Sequence, residues 1–94
     1  MNEESLYQEI VEFCRDERDI PEERVRLDSS FVDDLGLDSL DVLEMLVVVE
    51  HRHGIVVDER QARMARTVAD AVALVLRCAA TGADAAVGAI DEAS

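Results

Sequence analysis

Asp38-Ser39 stands directly ahead of a segment whose apolar residues recur at helical spacing, and that junction fixes where the main helix of this chain must start. A helix leaves the N–H groups of its first turn without intrahelical acceptors, and an aspartate in front of them is among the best side chains to accept one. Asp38 is therefore the expected N-cap and Ser39 the first helical residue. The helix should run to about Arg52 and stop at Gly54, a residue suited to the left-handed conformation that closes helices. At 100° per residue, Val42, Met45, Leu46 and Val49 share one face and make the core stripe. Leu40, Leu43 and Val47 fall on the other side among Asp41, Glu44 and Glu50, forming a narrow apolar strip edged with carboxylates. That composition suits a docking face, with apolar contact for affinity and charge for steering.

Upstream, Ser5-Leu6-Tyr7-Gln8 reads as a capping box, followed by the stripe Leu6, Ile10, Phe13 with Tyr7, Val11 and Cys14 beside it. This first helix should end between Arg15 and Arg18, before Pro21. From Asp19 to Asp38 the periodicity lapses, and the stretch reads as a long ordered loop pinned by Ile20, Val25, Leu27 and Phe31. Downstream of Gly54, Ile55-Val56-Val57 re-enters the core and Asp58 to about Met64 reads as a short third helix. Thr67 and Asp70 then cap a last helix with Val68, Val72, Val75 and Leu76 buried. From Ala79 the pattern dissolves into Ala, Gly and Asp, which reads as a flexible tail over 79–94, leaving 1–78 as the folded domain.

The chain has 94 residues, enough for one small core and no large cleft. It carries 22 acidic residues against 9 basic ones, all arginine, for a net charge of −13. Such a surface repels nucleic acid and anionic membrane and attracts basic protein surfaces. No apolar run approaches the roughly 20 residues of a membrane span, so the expected location is cytoplasmic. Cys14 and Cys78 sit on apolar helical patterns and read as reduced core cysteines. His51 and His53, two residues apart with no ligand cluster around them, read as surface histidines at a helix end.

Ser39 is the residue with chemistry to offer. With Asp38 in the cap, its hydroxyl can point outward, where the positive end of the helix dipole and unpaired N–H groups favour a phosphodiester anion. Gly36 would let the preceding loop turn onto the helix start, with Leu35 and Leu37 anchoring it. The segment Phe31-Val32-Asp33-Asp34-Leu35-Gly36-Leu37-Asp38-Ser39-Leu40-Asp41 closely resembles the phosphopantetheine attachment site of acyl carrier proteins, and the resemblance extends from about Ser5 to about Cys78.

The resemblance implies an all-α, four-helix acyl-carrier-like bundle, with a long loop between helices 1 and 2 and a short third helix. It also implies a non-enzymatic shuttle that is a monomer. A phosphopantetheinyl transferase would attach 4'-phosphopantetheine to Ser39, and the thiol of the arm would then hold acyl groups as thioesters. The docking residues would be Asp38, Leu40, Asp41, Leu43, Glu44, Val47 and Glu50, meeting acyltransferases and synthases with basic surfaces. Fatty acid or, more specifically, polyketide and specialised-metabolite synthesis is the implied setting. A freestanding aminoacyl or peptidyl carrier would share the arm, although the Leu37-Asp38 pair and the acidic second helix point to acyl cargo. An unmodified helical adaptor would share the fold without the arm. The chain departs from common fatty-acid carriers in its third helix, where Arg60, Arg63 and Arg66 stand in a segment that is typically acidic.

Overall fold

The computed structural model describes the backbone of residues 2–93 and the side chains of residues 2–80. Four helices follow in order: α1 (Glu3–Arg18), α2 (Ser39–His53), α3 (Glu59–Met64) and α4 (Val68–Ala93), with one 3-10 turn (Glu22–Arg24) in the loop after α1. The architecture is all-α, as expected, with an isolated antiparallel bridge between Ser30 and Thr67.

Helix α1 starts earlier than Ser5. Asn2 is its cap: Asn2 Oδ1 accepts from Ser5 N at 2.8 Å, and Ser5 Oγ accepts from Asn2 N at 3.1 Å. Ser5 is thus the third helical residue of a box opened by Asn2, and Glu3 and Glu4 in the first turn suit the dipole. Leu6, Ile10, Val11, Phe13 and Cys14 are buried. Burial pushes the Cys14 thiol up to about 11, with Arg18 nearby opposing the shift. Cys78 is half-buried, and both cysteines are free thiols. The helix closes through Asp19, a non-glycine residue at φ 61°, with Ile20 N donating to Cys14 O at 2.9 Å.

The long loop is held by buried side chains and backbone hydrogen bonds. Ile20, Val25 and Phe31 are buried as expected. Leu27 is not: it sits on a turn in which Ser29 N bonds Arg26 O, so its side chain stays 38% exposed, and its carbonyl does the pinning by accepting from Ala69 N at 2.8 Å. Val68 N to Ser29 O (3.1 Å) and Phe31 N to Arg66 O (2.9 Å) complete the seam between loop and α4. Tyr7 adds a hydroxyl bond to Val25 O.

Helix α2 buries Val42, Met45, Leu46 and Val49 and closes at Gly54, φ 66°. Beyond it the chain is extended, so successive side chains alternate. Val57 is buried, Ile55 half-buried, and Val56 points outward. Helix α3 starts at Asp58, whose side chain accepts from Arg60 N. Thr67 and Asp70 cap α4 reciprocally (Asp70 N to Thr67 Oγ1, 3.1 Å; Thr67 N to Asp70 Oδ2, 3.2 Å). Val68, Val72 and Val75 are buried, joined by Ala71 and Leu74. The helical backbone of α4 continues past Cys78, where a flexible tail was expected; alanine is the best helix former, so loss of an apolar stripe does not by itself end a helix. The side chains of 81–93, with Met1 and Ser94 entirely, lie outside the described residues, and most of the expected tail falls there.

At its C-terminal end α2 is fastened to α1. His53 Nε2 meets Glu9 Oε2 at 2.6 Å, and Arg52 lies 3.6 Å from Glu12 and 3.8 Å from Glu9. His51 is exposed as expected, whereas His53 is half-buried and serves as a tie between helices.

Candidate attachment site and docking face

The approach to Ser39 is built by backbone bonds to a few loop residues. Asp34 N and Leu35 N both donate to Ser30 O (3.0 and 3.1 Å), Asp34 Oδ2 accepts from Ser30 N (2.7 Å), and Leu37 N donates to Phe31 O (2.7 Å). Arg24 ties the outside of this turn through Asp34 O at 2.7 Å. Gly36 has φ +69°, a conformation costly for any side chain, while Leu35 and Leu37 on either side are buried. The glycine turns the loop and the leucines hold it.

Asp38 and Asp41 then cap α2 on each other: Asp38 Oδ1 accepts from Asp41 N at 2.9 Å and Asp41 Oδ2 from Asp38 N at 3.2 Å. The N–H of Asp38, followed by the Arg18 guanidinium, holds the Asp41 carboxyl below the usual carboxylate range. With the cap filled, Ser39 is exposed and its hydroxyl makes no hydrogen bond among the described residues. The N–H groups of Ser39 and Leu40 are those the helix leaves without intrahelical acceptors. An accessible hydroxyl beside unpaired donors fits a phosphodiester-linked group. The nearby serines do not: Ser29 is 5% exposed and bonded to Arg24 O and Arg26 N, and Ser30 Oγ accepts from Asp33 N at 3.0 Å.

On the expected docking strip, Leu40 is 71% and Val47 46% exposed, whereas Leu43 is half-buried and packs against the core. Leu43 and Val47 instead edge an apolar groove between α2 and α3 with Leu46, Val57 and Ala62. The acids are less available than their spacing suggests. Asp41 Oδ1 pairs with Arg18 at 2.8 Å, Glu44 pairs with the same guanidinium, and Glu50 Oε2 accepts from Val57 N at 2.6 Å. Arg18 was missed in the sequence because no local pattern links it to residues 23 and 26 positions on. Val48 is 38% exposed; with Phe13, Met45 and Val49 it lines a groove between α1 and α2 rimmed by Glu9, Glu12, Asp16, Glu17 and Arg52. On α3, Arg60 is exposed and Arg63 pairs with Glu59 at 3.0 Å.

Among the described residues no group of three His, Cys, Asp or Glu is arranged to hold a metal, and no helix is long and apolar enough to cross a membrane. What remains is a small helical domain presenting one serine hydroxyl at a helix start.

The chain is similar to known proteins over most of its length. A family model described as the phosphopantetheine attachment site matches residues 8–75. The acyl carrier protein of Tropheryma whipplei (strain Twist) is 34% identical over 76 residues, 81% of this chain and 93% of that protein. Those of Sulfurovum sp. (strain NBC37-1) and Rhodococcus erythropolis (strain PR4 / NBRC 100887) are both 35% identical, over 68 and 83 residues; they cover 72% and 88% of this chain and 91% of each relative. The fold and the site define a carrier of a covalently attached phosphopantetheine. The chain belongs to the acyl carrier protein family, whose members carry cargo between transferases and synthases and are not catalysts.

Proposed function

We propose that Ser39 is the attachment residue of this acyl carrier protein. The observation that carries the reading is the division of labour at the start of α2: Asp38 caps with Asp41, and Ser39 is left exposed and unbonded inside the region matched by the family model. Attachment joins Ser39 Oγ to the phosphorus of the pantetheine phosphate. The bond from that phosphorus to the nucleotide part of coenzyme A breaks, and the serine proton passes to the transferase. The thiol of the arm then holds an acyl group as a thioester, keeping it reactive and at high effective concentration for each partner.

Partners dock on the α2 face of Asp38, Leu40, Asp41, Leu43, Glu44, Val47 and Glu50, supported by the exposure of Leu40 and Val47 and by the charge of −13. The protein acts in the cytoplasm as a monomer, with residues 1–78 as the carrier domain and 79–94 as a tail. Its pathway is polyketide or another specialised synthesis rather than bulk fatty acid synthesis. The support for that choice is α3, where the exposed Arg60 would repel a basic partner patch extended beyond α2 and Arg63, paired with Glu59, offsets an acid such a patch would need. The test is loading of the phosphopantetheinylated protein by acyltransferases of the two kinds. Arg60→Glu with Arg63→Glu should improve loading by fatty-acid enzymes and impair it by polyketide enzymes. Equal rates for both forms at low salt would remove the pathway assignment, and loading by an aminoacyl-adenylating enzyme alone would reassign the cargo.

A further inference from the structure

Arg18 ends α1 and reaches the first turns of α2. Its Nε and Nη2 reach Asp41 Oδ1 at 2.9 and 2.8 Å, Nη2 also pairs with Glu44, and Nη1 donates to Glu17 O at 3.0 Å. The guanidinium lies over the Phe13 ring, 5.3 Å from its centroid. The side chain is thus oriented by a carbonyl, two carboxylates and an aromatic face at once. A planar guanidinium fork is pre-organised for such contacts and loses little freedom in making them.

Asp41 and Glu44 follow Ser39 within the first turns of α2, on the proposed docking face. With Arg18 between them, an arriving arginine or lysine finds a like charge already seated at its acceptors. The arrangement is accessible to exchange, because Glu44 keeps 59% of its side chain exposed and Arg18 26%. We propose that Arg18 is a specificity-determining residue that masks Asp41 and Glu44. Productive docking is then favoured for partners that bring an acid to receive Arg18 together with a base for Glu44. Partners offering only basic residues meet repulsion, which is how an interface rejects wrong partners. The inference rests on the α2 docking face proposed above and adds to it a residue from α1.

The probe is a broad-specificity phosphopantetheinyl transferase whose docking surface is basic, used with the full chain and coenzyme A. Four proteins are compared: wild type, Arg18→Gln, Glu44→Gln and the double variant. For each, KM, kcat, the Kd of the unmodified carrier for the transferase and the melting temperature are measured at low and high salt. Masking predicts that Arg18→Gln lowers KM and Kd about two- to fivefold, the scale of an exposed ion pair, with kcat unchanged. The gain should shrink at high salt and be smaller in the Glu44→Gln background, where Asp41 alone is left to unmask. A KM that is unchanged or raised in a folded Arg18→Gln protein overturns the masking. If Glu44→Gln still weakens binding in the Arg18→Gln background, the docking face itself stands. If neither Glu44→Gln nor Arg18→Gln changes KM or Kd, the transferase does not use this part of α2 and the masking is overturned. Should Arg18→Gln not fold, Arg18→Met carries the test: it keeps an apolar stem over Phe13 and removes the charge, so a lower KM supports masking and an unchanged or raised KM overturns it.

Discussion

Asp38 and Asp41 cap the start of α2 on each other, at 2.9 and 3.2 Å, and that exchange is what leaves Ser39 with no structural duty. Replacing a capping Asp by Ala costs about 1 kcal/mol. Asp38→Ala is accordingly expected to lower stability by about that much and to slow modification of Ser39, whose hydroxyl would be drawn toward the vacated cap. Asp38→Asn should restore most of the stability. Urea unfolding and transferase kinetics on the three proteins check both halves; a fully stable, fully modified alanine variant would show that the cap has no such role.

Leu40 and Leu43 separate docking from packing. Leu40 is 71% exposed, so Leu40→Ala should leave stability within about 0.5 kcal/mol while weakening partner turnover. Leu43 packs partly against the core, so Leu43→Ala should lower the melting temperature as well. Matching losses of stability in the two variants would contradict the difference in burial.

Asp70 gives α4 a pH-dependent start. The N–H groups of Arg66 and Thr67 hold its carboxyl below the ordinary value, with burial opposing them. A depressed carboxylate contributes stability that is present above its unfolded value, about 3.9, and lost as pH falls through the lower folded value. Asp70→Ala should cost about 0.5–1 kcal/mol at pH 7, and the difference from wild type should narrow below about pH 4. A gap constant down to pH 2 would mean that the charge is not what matters.

Asp19 holds a left-handed conformation at φ 61° that glycine adopts without strain. Asp19→Gly should therefore stabilise the protein by about 0.5 kcal/mol, the relief of strain exceeding the added freedom of the unfolded chain. A lower melting temperature would mean that the aspartate side chain holds the turn.

Helix α4 runs on to Ala93 in the backbone, and among the described residues Leu76 and Cys78 are the last apolar side chains packed against the core. We propose that 82–94 is dispensable to the carrier domain: its deletion should leave the melting temperature and the modification of Ser39 unchanged. Loss of either would make this segment part of the domain.

The parts of this molecule that were legible in the sequence are those fixed by neighbours along the chain. Asp38 in the cap, Gly36 and Gly54 at positive φ, and the stripe Val42, Met45, Leu46, Val49 all follow from spacings of one to four residues. Asn2 was overlooked because Ser5 and Gln8 mimic the same cap. Leu27 reads as a side-chain pin of the loop because hydrophobicity is visible in a sequence and a turn between Arg26 and Ser29 is not. Arg18 with Asp41, and His53 with Glu9, join residues 23 and 44 positions apart, so they depend on how α1 lies against α2. Glu44 and Glu50 read correctly as acids beside the strip, but not as acids already engaged by Arg18 and by Val57 N.

The central claim is that Ser39 carries the arm, and intact mass spectrometry after incubation with coenzyme A and a phosphopantetheinyl transferase tests it most directly. The wild-type protein should gain the mass of one phosphopantetheinyl group, and Ser39→Ala should gain none while keeping its helical circular dichroism. A Ser39→Ala protein that still gains the group, or a folded wild-type protein that never does, would contradict the account.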